Sequence, residues 1–219
     1  MIVRILLLSI LCFFSGSIMY SYLIPKYLIK IDPRSQAFDK NPGSSNAMKA
    51  CGPLIGCICT FLDVAKAAIP VYISIKYFKI TDLYITCIAF SPVLGHAFTP
   101  FLGFQGGKAV ACTFGTFIAI YPLSRIIFIF AIIIIFYKFI ITIKPNSSMM
   151  IISLLTLTAI TLLYNFENYI KLLVVLISIL VIYKQKLNPD KGEVTVSLFN
   201  RYLKKQITKT RNHEDTFKY

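Results

Sequence analysis

One short stretch of the chain, residues 94–112 (LGHAFTPFLGFQGGKAVAC), concentrates residue types that can bind an anion and act on it. His96 stands near its start, and Gly106, Gly107 and Lys108 directly precede an apolar segment. Free backbone N–H groups, the positive end of a helix and an ammonium group would converge there, and together they form an anion site. We therefore expect a phosphate-bearing ligand, with His96 in either a structural or a catalytic role.

A second polar loop, earlier in the chain, offers complementary groups. Asn41 and Asn46 stand five residues apart, with Gly43 and Ser45 between them, so amide groups and backbone N–H groups are accessible there. Arg34 adds the planar guanidinium group that suits phosphate or carboxylate. The same composition is ordinary turn chemistry, so a purely structural role for this loop stays open.

Two opposite charges lie inside an otherwise apolar segment. Asp63 and Lys66 are three residues apart, so on a helix they share a face and can form an ion pair. One interpretation is a structural pair facing the interior of the helix bundle. In the other, Asp63 orients Lys66 toward an anion at the cytoplasmic end of the helix.

These side chains must be positioned by a membrane domain. Hydrophobic residues make up 57% of the 219 residues, and a membrane span needs about 20 mostly apolar residues. We predict an all-α integral membrane protein with about seven transmembrane helices, some of them short, and with the motif loops on the cytoplasmic side. The predicted spans are residues 2–24, 54–75, 83–94, 109–121, 123–143, 149–164 and 169–183. Residues 83–94 and 109–121 are each too short to cross a bilayer alone.

The distribution of basic residues indicates orientation and domain division. The net charge is +14, and most lysines and arginines fall on the side that carries the motif loops. The positive-inside rule therefore favours an N-terminus outside and a C-terminus in the cytoplasm. We divide the chain into a membrane domain, residues 1–188, and a basic cytoplasmic tail, residues 189–219. Residues 194–208 of the tail are predicted to form an amphipathic helix on the membrane surface.

Several classes of function are disfavoured by what the sequence lacks. No aromatic-interleaved basic domain stands outside the membrane region, so nucleic-acid binding is a poor alternative. The six cysteines have neither the spacing of a zinc site nor that of a disulfide framework, and we expect no metal and no cofactor. No GxSxG elbow is present, and Phe101 stands where a His-x4-Asp acyltransferase has its carboxylate. If the chain transfers an acyl group, its donor must already be activated.

The order of the motifs resembles one known family. The segments that carry the resemblance are Ile31-Asp32-x-Arg34, Asn41-x-Gly43-x-x-Asn46, Leu62-Asp63-Val64-x-Lys66, Gly95-His96-Ala97-Phe98 and Phe104-x-Gly106-Gly107-Lys108. They resemble the acyl-phosphate-dependent glycerol-3-phosphate acyltransferases, the PlsY family of bacterial enzymes with seven membrane spans. The resemblance extends over roughly residues 16–185.

The resemblance implies direct acyl transfer from an acyl phosphate to the 1-hydroxyl of glycerol 3-phosphate, without an acyl-enzyme. The products would be lysophosphatidic acid and phosphate, made at a bacterial cell membrane for phospholipid synthesis. The implied partners are acyl phosphate, glycerol 3-phosphate and membrane lipids; the oligomeric state is undetermined. The implied catalytic residues are His96, Lys108 and Asn46; the implied phosphate-binding residues are Arg34, Asn41, Gly43, Ser45, Gly106, Gly107 and Lys108; Asp63 and Lys66 would support them.

Two of the departures from the family pattern bear most on the chemistry of the site. Asp39 stands near a usual serine, and a carboxylate beside bound phosphate repels it unless Lys40 or Arg34 compensates. In the third motif, Gln185 replaces a usual histidine, and Asn188 is the candidate counterpart of its asparagine. These departures leave open a catalytically weakened homologue that binds lipid precursors or partners, or a similar enzyme with another acceptor. A small transporter is disfavoured because the polar groups cluster at one membrane face.

Overall fold

The structure, a computed structural model, describes residues 1–35 and 37–198, and it is almost entirely helical. Helices satisfy every backbone N–H and C=O group internally, which apolar surroundings require. The helices are α1 (Ile2–Ser17), α2 (Tyr20–Leu23), α3 (Ser44–Cys51), α4 (Pro53–Phe78), α5 (Leu83–Ala97), α6 (Val110–Ala119), α7 (Ile126–Ile135), α8 (Asn146–Leu163) and α9 (Asn168–Leu187); the strands are β1 (Ile141–Lys144) and β2 (Thr195–Leu198). Short π-helical turns at Ile24–Ile29 and Phe136–Ile140 follow α2 and α7, and a 3-10 turn, Pro100–Leu102, follows α5.

Four helical segments of the described chain are long and apolar enough to cross a membrane. They are Ile2–Ile29, Pro53–Phe78, Leu83–Leu102 and Asn146–Leu163, and two shorter apolar helices are Val110–Ala119 and Ile126–Ile140. A mostly helical integral membrane fold is therefore confirmed, whereas the count of seven spans stays a prediction. The predicted end of the segment 83–94, at residue 94, was wrong, because the helical segment continues through the His96 region to Leu102.

Backbone contact between α1 and α5 fixes the position of the His96 segment. A methyl group added at Gly95 would lie 2.1 Å from the carbonyl oxygen of Phe13, and one added at Gly16 would lie 2.1 Å from that of Pro92. The Thr99 hydroxyl donates to the Ser17 carbonyl oxygen at 2.7 Å, which satisfies the end of α1. Such close approach through small residues is how membrane helices gain packing energy where lipid is as apolar as the core.

The remaining helices form the apolar body of the domain. α4 packs on α6, where a methyl group at Gly115 would lie 2.2 Å from the Val64 carbonyl oxygen, and α8 packs on α9. The largest fully buried apolar side chains include Phe117, Phe130, Ile88, Ile126, Leu154, Leu157 and Leu173. This body leaves the polar loops of the chain to be gathered outside it.

A two-stranded antiparallel sheet joins the tail to the membrane domain. Ile141 pairs with Leu198 and Lys144 with Thr195. The expected amphipathic helix over residues 194–208 is therefore wrong at its start, because Val194–Leu198 alternates apolar and polar residues with the period of a strand; the rest lies outside the described residues. The predicted span 123–143 likewise ends in the strand β1. Residues 189–198 pack with the membrane domain, and the domain division at residue 188 stays a prediction.

Replacement of Gly95 tests the backbone contact between α1 and α5. Gly95→Ala forces the two helices apart, and we expect it to lower the free energy of unfolding by about 1–3 kcal/mol. Thermal unfolding in detergent measures the loss. Cys87→Ala, on an exposed position of α5, is the control and leaves stability near wild type. Equal melting temperatures for Gly95→Ala and Cys87→Ala would contradict this packing.

Candidate active site

The first polar loop is fixed by an ion pair at its beginning. The Arg34 guanidinium donates to both oxygens of Asp32, at 3.2 and 3.0 Å, and to the Tyr22 hydroxyl at 2.9 Å. It also stacks over the Tyr22 ring, 4.3 Å from the centroid. Hydrogen bonds from Arg34 lower the pKa of the Asp32 carboxyl group below its ordinary value. Arg34 is therefore held in place and is partly neutralised by a neighbour in the same loop.

The two asparagines brace the rest of this loop. Asn46, in the first turn of α3, donates its amide to Asp39 Oδ1 and to the Asn41 backbone oxygen, both at 2.8 Å. Gly43 caps α3 through its carbonyl oxygen, which accepts the Asn46 N–H at 3.0 Å. Asn41 is buried with its side-chain oxygen unpaired among the described residues. Ser45 is exposed on α3, and its side chain forms no hydrogen bond with the described residues.

Lys108 lies between two carboxylates. Its ammonium group is 2.8 Å from Asp39 Oδ2, 2.8 Å from Asp190 Oδ1 and 3.3 Å from the Ser147 hydroxyl. Asp190 also accepts the backbone N–H of Ser147, at the start of α8, at 2.9 Å. The sequence indicated Lys40 or Arg34 as the cation that compensates Asp39, and this was wrong: the compensating cation is Lys108. Asp190 was missed, and the only signal for it was its place directly after the third motif.

The electrostatics of Asp190 follow from this arrangement. Burial alone would raise the pKa of its carboxyl group, but hydrogen bonds and charge from Lys108, with hydrogen bonds from Ser147, lower it below the ordinary value. The side chain is 28% exposed, against 7% for Asp39. Asp190 is therefore the partner of Lys108 that solvent and small anions reach more easily.

The glycine loop lies directly on the end of α5. The Gly106 N–H donates to the Ala97 oxygen at 3.2 Å, and the Gly107 N–H donates to the His96 oxygen at 3.0 Å. The expectation that these two N–H groups are free was therefore wrong, and α6 begins only at Val110. A methyl group at Gly107 would lie 2.2 Å from His96 Nε2. The glycines instead let the loop approach closely enough to hold Lys108 in position.

His96 is enclosed beneath this loop. It is 3% exposed, and its Nδ1 has no hydrogen-bond partner in the described part of the chain. The imidazole ring faces Gly107 and lines neither of the two cavities described below. Its position is that of a side chain that supports the loop from behind.

The buried charges of α4 form the predicted ion pair. Lys66 Nζ is 2.7 Å from Asp63 Oδ1, and both side chains are almost fully buried. The Ser21 hydroxyl donates to Asp63, and the Lys66 ammonium donates to the Ile18 backbone oxygen. The pair therefore joins α4 to the break between α1 and α2, away from both cavities.

Two cavities lie side by side at this end of the molecule. The first, about 420 Å³, is called the lysine cavity because Lys49, Lys144 and Lys191 line it, together with Asn46 and Asp190. In the sequence these lysines served only as evidence of membrane orientation, because no local pattern distinguishes a cavity lysine from any other basic residue near a membrane. Within residues 1–35 and 37–198, no cluster of three or more His, Cys, Asp or Glu residues is placed to hold a metal ion.

The second cavity, about 500 Å³, combines apolar and cationic walls and is called the aromatic cavity. Phe98, Phe104 and Leu187 line it, with Arg34 and Lys184. Lys184 is 2% exposed, and its ammonium lies 5.1 Å from the Phe98 ring centroid. Phe38 and Asp39 line both cavities, so these two residues form the wall that the cavities share.

The apolar helices and the charged cluster define an integral membrane protein with a charged polar site at one end. A sequence profile described as glycerol-3-phosphate acyltransferase matches residues 6–191. The chain belongs to the glycerol-3-phosphate acyltransferase family.

Individual relatives agree with this assignment. The chain is 44% identical over 125 residues to a glycerol-3-phosphate acyltransferase of Pseudothermotoga lettingae, covering 57% of this chain and 61% of that one. It is 39% identical over 136 residues to one of Leptospira borgpetersenii, covering 60% and 62%. The chain thus spans less than two thirds of the length of these curated relatives.

The fold is similar to that of a solved relative. The crystal structure of PlsY (YgiH), described as an integral membrane glycerol 3-phosphate acyltransferase, matches in its glycerol 3-phosphate form with a TM-score of 0.73. Its lysophosphatidic acid form matches with a TM-score of 0.69. Each comparison gives 28% identity and covers 84% of this chain and 89% of the other.

The lowered pKa of Asp190 makes its stabilising effect depend on pH. The contribution is present above the ordinary carboxyl pKa, near 4, and is lost as the pH falls through the lower pKa of the folded state. We expect Asp190→Asn to lower the free energy of unfolding by about 1–3 kcal/mol at pH 7, with the difference vanishing in acid.

Thermal unfolding across pH measures this difference. Asp82→Asn removes the same charge at an exposed position whose side chain makes no hydrogen bond or ion pair with the described residues. A destabilisation by Asp190→Asn that persists unchanged below the ordinary carboxyl pKa would contradict the role of the ion pair.

Proposed function

We propose that the protein transfers an acyl group from an acyl phosphate to the 1-hydroxyl of glycerol 3-phosphate, releasing lysophosphatidic acid and phosphate. The observation that carries this proposal is the pair of cavities on either side of Asp39, whose Oδ2 lies 2.8 Å from the Lys108 ammonium. Membership of the family, and the two forms of the solved relative, support the choice of substrates.

The lysine cavity suits the polar acceptor. Lys49 and Lys191 bring positive charge to a cavity that also contains the amide of Asn46. A phosphate monoester carries close to two negative charges at neutral pH, and lysine ammonium groups bind it as point charges. Glycerol 3-phosphate placed there has its phosphate among the lysines and its free hydroxyl toward the shared wall.

The aromatic cavity suits the donor. Phe98, Phe104 and Leu187 offer apolar surface for the start of an acyl chain, and Arg34 and Lys184 offer charge for its phosphate. Phe104 is 63% exposed and Leu187 is 55% exposed. Large apolar side chains exposed at the mouth of a cavity fit a ligand whose chain extends into the membrane.

Access of phosphate to Lys108 requires an exchange of anions. Two carboxylates already neutralise the ammonium, so a third anion is repelled unless one of them leaves. Asp190 lines the lysine cavity and is the more exposed of the two. We infer that substrate phosphate replaces the Asp190 carboxylate on Lys108, while Asp39 stays in place.

The chemistry asks for positioning and for stabilisation of charge. A mixed anhydride is already activated, so the acceptor hydroxyl attacks the acyl carbon directly and no acyl-enzyme forms. Lys108 would bind the phosphate of glycerol 3-phosphate, and Arg34 and Lys184 would stabilise the negative charge that develops on the departing phosphate. Asn46 and Asn41 would hold the first polar loop, and Gly43 and Ser45 would start α3 beside it. Gly106 and Gly107 would hold Lys108, and His96 would orient the glycine loop from behind. Asp63 and Lys66 would support the site by joining α4 to the break between α1 and α2.

The proposed setting is a bacterial cell membrane. The N-terminus would lie outside and the C-terminus in the cytoplasm, which puts both cavities on the cytoplasmic face. A catalytically weakened homologue is the second candidate. The buried Gln185 replaces a histidine of the resembled motif, and Lys108 is already paired with two carboxylates.

Phosphate release tests the proposal and separates these candidates. Purified protein receives palmitoyl phosphate with and without glycerol 3-phosphate, and the lipid product is identified by mass. Release that depends on glycerol 3-phosphate and yields lysophosphatidic acid supports the reaction. Release with an alcohol other than glycerol 3-phosphate points to a different acceptor. Folded protein without any release points to the weakened homologue.

Removal of the Lys108 charge should abolish transfer. Lys108→Ala removes the cation that would hold the phosphate of glycerol 3-phosphate, and we expect turnover to fall at least about 100-fold, while the protein remains monodisperse in detergent. Lys171→Ala, which removes a lysine on the opposite predicted membrane side, is the control and keeps wild-type turnover. Wild-type turnover in Lys108→Ala would remove the phosphate-site argument.

Removal of the competing carboxylate should strengthen substrate binding. Asp190→Asn leaves Lys108 with one carboxylate partner, so we expect the KM for glycerol 3-phosphate to fall several-fold because repulsion is relieved. Steady-state kinetics at low ionic strength measures it. An unchanged or higher KM would contradict the anion exchange at Lys108.

A further inference from the structure

We propose that Asp39 is the general base, accepting the proton of the acceptor hydroxyl as that hydroxyl attacks the acyl carbon. The inference rests on the proposed function and adds a catalytic residue to it. A hydroxyl that attacks a carbonyl must lose its proton, and a positioned side chain commonly takes it.

The position of Asp39 is the first reason. Asp39 and Phe38 are the two residues that line both cavities, and Phe38 carries no titratable group. A hydroxyl held in the lysine cavity meets an acyl carbonyl held in the aromatic cavity only at this shared wall. The Asp39 side chain is 7% exposed, so bulk water competes little for its oxygens.

Other titratable groups of the described chain are placed less well. Asp190 and Glu193 line the lysine cavity alone. Asp32 is paired with Arg34, and Asp63 is buried with Lys66 in α4. His96 lies behind the glycine loop and lines neither cavity. Among residues 1–35 and 37–198, Asp39 is therefore the carboxylate closest to where the two substrates meet.

The hydrogen bonds of Asp39 orient its carboxylate for this task. Oδ1 accepts from the Asn46 amide at 2.8 Å and from the Asn41 N–H at 3.3 Å, and Oδ2 faces Lys108 at 2.8 Å. Each carboxylate oxygen has two lone pairs, so Oδ2 keeps one for the hydroxyl. These contacts hold the carboxylate in one orientation, with Oδ2 toward Lys108 and the shared wall.

A carboxylate is a weak base toward a free alcohol, and the course of the reaction offsets this. The attacking hydroxyl becomes strongly acidic as its oxygen bonds to carbon, so a modest base suffices for a late proton transfer.

The step balances without any further reactant. The hydroxyl oxygen forms a bond to the acyl carbon, and its proton passes to Asp39. The bond between the acyl carbon and the bridging oxygen then breaks, and the electron pair leaves with phosphate. Asp39 returns the proton to this phosphate, so the products are the ester and hydrogen phosphate, and the carboxylate is restored.

Replacement by asparagine tests the role with little change in shape. Asp39→Asn keeps an oxygen acceptor for Asn46 and loses the base, so we expect kcat to fall about 100- to 10,000-fold. The KM for glycerol 3-phosphate should stay level or fall, because a negative charge is removed. Relative to wild type, the profile of kcat/KM against pH should lose the dependence contributed by one carboxylate in acid.

Asp82→Asn is the control for the pH profile. It removes a carboxylate that lines neither cavity, so it should keep the wild-type shape in acid. The substrate phosphates titrate equally in all three proteins, and their contribution cancels in the comparison.

Chemical rescue distinguishes a base from a structural brace. In Asp39→Ala, added formate can occupy the vacated space and accept the proton, so turnover should rise with formate concentration and not with chloride. Failure of formate to rescue, together with an unchanged acid profile in Asp39→Asn, would overturn the inference. Turnover within a few-fold of wild type in Asp39→Asn would overturn it as well.

The wild-type protein, assayed in parallel, distinguishes failure of the role of Asp39 from failure of the proposed function. Transfer by wild type with an equally active Asp39→Asn would overturn the role of Asp39 alone. No transfer by folded wild type would overturn the proposed function and this inference together.

Discussion

The ammonium group of Lys108, held between Asp39 and Asp190, is the interaction on which the arrangement of the site depends. It joins the first polar loop, the glycine loop and the segment after α9, and Ser147 adds the start of α8. A cation enclosed at the boundary of a membrane domain needs counter-charges, since an unpaired buried charge is strongly destabilising. The ion pairs therefore assemble four distant parts of the chain, and they place the protein's own carboxylates on the lysine that we propose as an anion site.

The precision of that assembly comes from the helices behind it. Gly95 and Gly16 let α5 and α1 touch along their backbones, and Gly106 and Gly107 let the loop with Lys108 lie on the last turn of α5. Flexible side chains lose rotamer entropy when they become ordered. Backbones in direct contact have few other packing arrangements, so they hold the helices in one relative position. A rigid scaffold holding a charged cluster fits a reaction whose catalysis depends on orientation and preorganised charge more than on a covalent intermediate.

The departures from the resembled motifs change the charge balance of the site in a connected way. A carboxylate, Asp39, stands near a usual serine, and a neutral buried amide, Gln185, takes the place of a histidine. The chain thus gains a proton acceptor in one loop and has no imidazole at the end of α9. The added negative charge at Asp39 is balanced by Lys108, and further lysines line the cavity next to Asp39.

Sequence alone determined the class of fold and the family, and it singled out Asn41, Asn46 and Lys108, whose roles in the site stay predictions. Long apolar runs can satisfy their backbone groups in a membrane only as helices, and the pair Asp63 and Lys66 follows from helical spacing, because both signals are local. Tertiary structure decided which charges meet. Asp190 pairs with Lys108 across 82 residues, the N–H groups of Gly106 and Gly107 are taken by α5, and the tail begins as a strand paired with β1. Such contacts depend on how loops from distant spans converge, and no local pattern encodes that convergence.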